Sequence, residues 1–135
     1  MSSASPAGEF ACRAALCLAF VYSGLAKLRD FPAAIAEQSH FGLHPPALFA
    51  ALTIAAQLGG SALVLFGRGR WRAFGALGLA GFTVLATVVG HPFWTMEGME
   101  RFHNRNSFLE HAGLVGGFCL VALLAWRRDE PAQRT

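Results

Sequence analysis

Charge is what this sequence has least of. Only 14% of its 135 residues are Asp, Glu, Lys or Arg, against about a quarter in an ordinary soluble domain. Cysteine is scarce as well: Cys12, Cys17 and Cys119 form no CxxC pair and cannot all be joined in disulfides. No HExxH, CxxCH, GxGxxG or phosphate-loop motif is present, so no zinc hydrolase, c-type haem, dinucleotide or nucleotide chemistry is written into a local motif. The net charge of +3 is scattered over loops and ends, which leaves no basic face for a nucleic acid. No nucleophile with a neighbouring base can be picked out.

Apolar residues fill the space instead. They make up 54% of the chain, mean hydropathy is +0.43, and they come in long blocks rather than in helical or alternating stripes. That pattern marks membrane spans. The blocks cover residues 10–28, 46–66, 71–89 and 108–126. The last, at about 1.5 Å per residue, reaches roughly 28 Å, close to the thickness of a bilayer core. The expected fold is an all-α membrane protein, one four-transmembrane-helix bundle over residues 10–126, with polar tails at 1–9 and 127–135. Ser23-Gly24-Leu25-Ala26 resembles a signal cleavage site, but no cation precedes Arg13. The first block is therefore expected to persist as a helix of the mature protein.

Cations set the expected orientation. With the N-terminus inside, seven lie on the cytoplasmic side (Arg13, Arg68, Arg70, Arg72, Arg127, Arg128, Arg134) and four outside (Lys27, Arg29, Arg101, Arg105). The excess predicts N-in and C-in. Trp71, Trp94 and Trp126 fall at predicted helix ends, as an aromatic belt requires. Pro45-Pro46 opens the second helix, and Ser107-Phe108-Leu109-Glu110 reads as a capping box opening the fourth. Gly59-Gly60, Gly75, Gly78, Gly81, Gly113 and Gly117 are expected to let the helices pack closely.

The side expected to face outward carries all five histidines: His40, His44, His91, His103 and His111. Glu37, Glu97, Glu100 and Glu110 join them. Longer outer loops alone could explain this bias. The functional reading is a polar pocket at the outer mouth, where imidazoles and carboxylates move protons or bind a quinone or phenol head group. Its expected lining is His91, Trp94, His103, Arg105 and His111, with Arg105 as a partner for an anion or carboxylate. Tyr22, Lys27, Gln57 and Glu110 are expected to support it. Gln57 in mid-membrane needs a partner, which Tyr22 or Ser23 can supply. Lys27 can snorkel to the interface or pair with Glu110 or Glu37. Met96 and Met99 could add soft copper ligands, but no local spacing defines a metal site and none is assigned.

Several segments also resemble a known family. Tyr22-Ser23-Gly24-Leu25-Ala26-Lys27-Leu28 is similar to the end of the first helix in DoxX-family membrane proteins. Ala56-Gln57-Leu58-Gly59-Gly60 and Leu65-Phe66-Gly67 resemble its second helix, where an acidic residue usually stands at the place of Gln57. His91-Pro92-Phe93-Trp94, Phe108-Leu109-Glu110-His111 and Gly116-Gly117 resemble its third and fourth, with Lys-Asn common at the place of Glu110-His111. The resemblance spans residues 10–126. It implies a four-helix protein of the bacterial inner membrane, and some relatives are subunits of quinone-reducing thiosulfate oxidoreductases or accompany redox and oxidative-stress systems.

The expected function is thus a membrane subunit of a redox system. It would bind a quinone or another small hydrophobic ligand near its outer face and work with partner subunits rather than turn over substrate alone. The alternatives are an anchoring subunit without a ligand and, further off, a small-molecule transporter or a metal-binding membrane protein.

Overall fold

The computed structural model describes residues 5–129, and everything in it is helix or connection. Four helical stretches are long and apolar enough to cross a membrane: Pro6–Arg29, Pro46–Phe66, Gly69–Thr95 and Gly98–Arg128. In chain order the elements are α1 (Pro6–Arg29), α2 (Phe31–His40), α3 (Pro46–Ile54), a π-helical turn (Ala55–Gly59), α4 (Gly60–Phe66), α5 (Gly69–Gly90), a 3-10 turn (Phe93–Thr95) and α6 (Gly98–Asp129).

Local chemistry sets most of the ends. The Ser5 hydroxyl accepts the Gly8 N–H at 3.1 Å and proline follows it, so α1 begins earlier than its apolar block. Asp30 caps α2 in the same way, through Ala33 N–H at 3.1 Å. The segment between the first two apolar blocks therefore carries a helix that packs on α1 and α3. Gly69 and Gly98 adopt positive φ, 47° and 58°, where α5 and α6 begin; side chains resist that conformation.

α6 corrects the expected start of the fourth helix. It begins at Gly98, so Ser107 and Glu110 stand in mid-helix and cap nothing. Met99, Glu100 and Arg101 favour helix, and Asn104 satisfies its own amide by donating to the Glu100 carbonyl at 3.0 Å. With 32 residues, α6 is about 48 Å long. Several of its turns must stand clear of a hydrocarbon layer about 30 Å thick. The expected tails shrink accordingly: residues 6–9 and 127–129 are helical, and Arg134 lies outside the described residues.

α5 sits at the centre of the bundle, packed against α6 on one side and α4 on the other, with α1 closing against α4, the π turn and α6. Phe118, Leu79, Val64 and Cys17 are wholly buried between them, with Ala73 and Ala76. Phe20 meets Phe118 and Phe82 edge-on at 5.4 and 6.3 Å. The glycines divide sharply. A Cβ on Gly75 would lie 2.5 Å from Leu63 Cβ and 2.9 Å from the Gly60 carbonyl, and one on Gly117 would lie 2.9 Å from Leu16. Gly59, Gly78, Gly81 and Gly113 face open space, contrary to expectation. Steps of three residues rotate about 60° around a helix of 3.6 per turn, so Gly75, Gly78 and Gly81 cannot all face α4.

Candidate functional site

The five histidines all lie toward the end of the bundle opposite the described termini, and the structure brings two of them together. His91 caps the C-terminus of α5, its N–H bonded to the Thr87 carbonyl at 2.9 Å. His111 comes from α6, and the two rings meet edge-on with centroids 5.1 Å apart.

Each ring is held by one nitrogen. His91 Nδ1 lies 2.8 Å from Asn104 Oδ1, and His111 Nδ1 lies 2.8 Å from Thr87 Oγ1. The partners decide which way these bonds run. Asn104 turns its oxygen toward His91 while its amide nitrogen donates to the Glu100 carbonyl, and an amide oxygen can only accept. The single proton of Thr87 is spent on the Thr83 carbonyl, so Thr87 too must accept. Both histidines therefore carry their proton on Nδ1 when neutral. Each Nε2 is left as a lone-pair acceptor without a partner among the described residues. Beside the pair, Phe108 packs edge-on against Phe93 at 5.3 Å and Trp94 at 6.2 Å. Trp94 remains half exposed.

The other expected lining residues stand apart. His103 is exposed and meets Phe102, with centroids 5.6 Å apart. Arg105 is exposed and lies over that same ring at 5.8 Å. On a helix each is turned about 100° from Asn104, to opposite sides. His40 and His44 are four residues apart, but both are exposed and His44 lies past the end of α2. Among the described residues no three His, Cys, Asp or Glu side chains converge as a metal would need.

A second polar centre lies between α1, α2 and the π turn. Lys27 Nζ pairs with Glu37 at 2.9 Å and donates to Ser23 Oγ at 2.9 Å. Gln57 Nε2 donates to the same hydroxyl at 3.2 Å. Of the partners weighed for Gln57 and Lys27, the geometry selects Ser23 and Glu37. Tyr22 is 76% exposed, and Glu110 is exposed on α6. Gln57 is buried within the π turn, and its Oε1 has no partner among the described residues. A π turn inserts one residue into the helical ladder and often marks a functional position.

Thr87 and Asn104 escaped the sequence reading. The signal was present: Thr83, Thr87 and His91 recur every four residues, and Asn104 and His111 are seven apart, so each set shares a helix face. Asn104 was hidden because its segment read as loop.

The family model described as DoxX matches residues 8–92. The chain belongs to the DoxX family. The match takes in α1 to α5 and both Gln57 and His91, while α6, with Asn104 and His111, lies beyond it. No curated protein and no solved structure matches the chain.

Proposed function

We propose that this DoxX protein is the membrane subunit of a redox system and binds a quinol or quinone head group at the His91–His111 pair. One observation carries the reading: two touching imidazoles have their Nδ1 protons committed, leaving each Nε2 to accept a proton. A quinol hydroxyl is the matching donor. Oxidising a quinol to a quinone releases two protons and two electrons. The histidines take the two protons at Nε2 one after the other, each passed on toward the outer water before the next arrives, so the touching rings are not charged together. The electrons pass to a partner redox protein. Phe93, Trp94 and Phe108 form the aromatic wall, while His103 and Arg105 stay outside it.

The cation distribution supports placing this site at the outer face of a bacterial inner membrane, with the termini in the cytoplasm. Lys27, Ser23 and Gln57, with Glu37, brace α1 against α2 and the π turn.

The test is binding of a quinol analogue to the purified protein. His91→Ala and His111→Ala should each weaken it about tenfold, the loss of a hydrogen bond to an ionisable group. His40→Ala should leave it unchanged. Equal affinity in all three variants would leave the anchoring subunit as the better reading. Copper or zinc in stoichiometric amount, lost in the same two variants, would replace the quinol with a metal.

A further inference from the structure

At the end opposite the histidines, arginines from three helices gather around one carboxylate. Arg13 of α1 and Arg128 of α6 both contact Glu9, and Arg72 of α5 lies within electrostatic reach of all three and of Arg68.

The pairing is unequal. Arg128 takes both oxygens of Glu9, at 2.7 and 2.9 Å. Arg13 is left with a 3.7 Å contact, beyond hydrogen-bond distance. Arg72 makes no hydrogen bond or ion pair among the described residues. The Nε atoms of Arg13 and Arg72 are buried without an acceptor among the described residues, and the Arg13 side chain is only 13% exposed. A guanidinium presents five donors in a rigid fork and cannot give up its charge. Arg72, without a partner among the described residues, and Arg13, only loosely paired with Glu9, are both half-buried and have donors left for a further acceptor.

Depth indicates which acceptor is at hand. Trp71, Phe74 and Trp126 form an edge-to-face row at this end, with centroids 6.2 and 6.1 Å apart. Aromatic rows of this kind mark the level of lipid headgroups. Around them the helices carry exposed apolar side chains, Phe10, Phe66 and Leu77 among them, along which acyl chains can lie.

We propose that Arg13 and Arg72 bind the phosphate of an anionic phospholipid headgroup. The phosphate oxygens match the guanidinium fork, and the negative charge offsets the three arginines, Arg13, Arg72 and Arg128, that surround Glu9 among the described residues. Arg128 is held back from the lipid by Glu9. Glu9 also ties α6 to α1, so the bound headgroup sits on a fixed frame rather than on loose side chains. A zwitterionic headgroup brings its own ammonium and fits less well.

The experiment titrates the full chain, in neutral detergent, with phosphatidylglycerol, with phosphatidylcholine and with inorganic phosphate. Retained lipid is read by native mass spectrometry and stability by thermal melting. Phosphatidylglycerol should bind and raise the melting temperature, and phosphatidylcholine and inorganic phosphate should not. A shift reproduced by inorganic phosphate alone would overturn the lipid in favour of a free anion.

Arg72→Gln should weaken phosphatidylglycerol binding by about tenfold, because a charge-assisted pair is lost. Arg127→Gln removes the same charge from an exposed position and should change binding less than about twofold. Equal losses would mean unspecific charge attraction and no site. Arg72→Lys and Arg13→Gln repeat the comparison should Arg72→Gln not fold. Lysine keeps the charge without the fork, so it should fall between the two.

Discussion

The Thr87 hydroxyl stands 2.8 Å from His111 Nδ1 while bonding back to the Thr83 carbonyl one turn below. A backbone carbonyl of α5 thereby dictates the tautomer of an imidazole on α6. Thr87→Val keeps the shape and deletes the acceptor. Removing it leaves the His111 Nδ1 proton unmatched, which costs about 1–3 kcal/mol if the ring stays in place. The ring should therefore turn or change tautomer, and quinol-analogue binding should fall about tenfold. Thr87→Ser should restore it. Nitrogen-15 chemical shifts of the imidazole report the tautomer directly.

Asn104 does the same for His91 from the opposite helix. Asn104→Leu should weaken analogue binding about as much as His91→Ala, again near tenfold. His103→Ala, one residue away on an exposed face and outside the pair, should cost less than about threefold. Titration of the two variants side by side checks the ranking, and a larger loss for His103→Ala would move the site around α6.

How much of this was legible in the sequence follows from where its signals are local. The four spans stood out because hydrocarbon demands about 20 apolar residues in a row. Ser23 and Glu37 could be named as partners because Gln57 and Lys27 are too polar to stay unmatched. The start of α6 was misread because Ser107 and Glu110 form a good capping box, yet a strong local pattern loses when the residues before it also favour helix and dock onto a neighbour through Asn104. The π turn left no signal at all. It lies where Leu58 packs onto Gly24, a contact between two helices that neither segment shows alone.

The glycines give a paired packing experiment. Gly75→Leu drives a side chain into Leu63 and the Gly60 carbonyl and should cost about 1–3 kcal/mol or more, as overpacking does. Gly113→Leu adds the same bulk where nothing lies within 4 Å and should leave the melting temperature nearly unchanged. Gly117→Leu meets Leu16 and should fall between them, since a flexible side chain can move aside. Detergent melting curves of the three variants test the order.

Topology can be checked without any ligand. Under the proposed orientation, a cysteine at Arg101 in a background with Cys12, Cys17 and Cys119 replaced should react with an impermeant maleimide in intact cells. One at Arg68 should react only after lysis. The reverse pattern would put the histidine pair in the cytoplasm and the arginine group outside.

The last test concerns Gln57, whose amide nitrogen is used and whose oxygen is not. An unmatched carbonyl in the bundle interior costs free energy that an apolar side chain of similar size does not. Gln57→Leu should therefore be neutral or slightly stabilising in the protein without ligand, even though it removes a hydrogen bond. Ser23→Ala alone should destabilise by about 1–3 kcal/mol, because Lys27 and Gln57 both lose their shared acceptor. In the double variant the loss should shrink, since only Lys27 is then left short and Glu37 still holds it. Melting curves of the two singles and the double form a closed cycle. If Gln57→Leu is as damaging as Ser23→Ala, the Gln57 oxygen has a partner in the membrane. A bound water or a ligand reaching in from the mouth would be the first to look for. Strict additivity would mean that Ser23 serves Lys27 and Gln57 separately, and the shared brace would have to be redrawn.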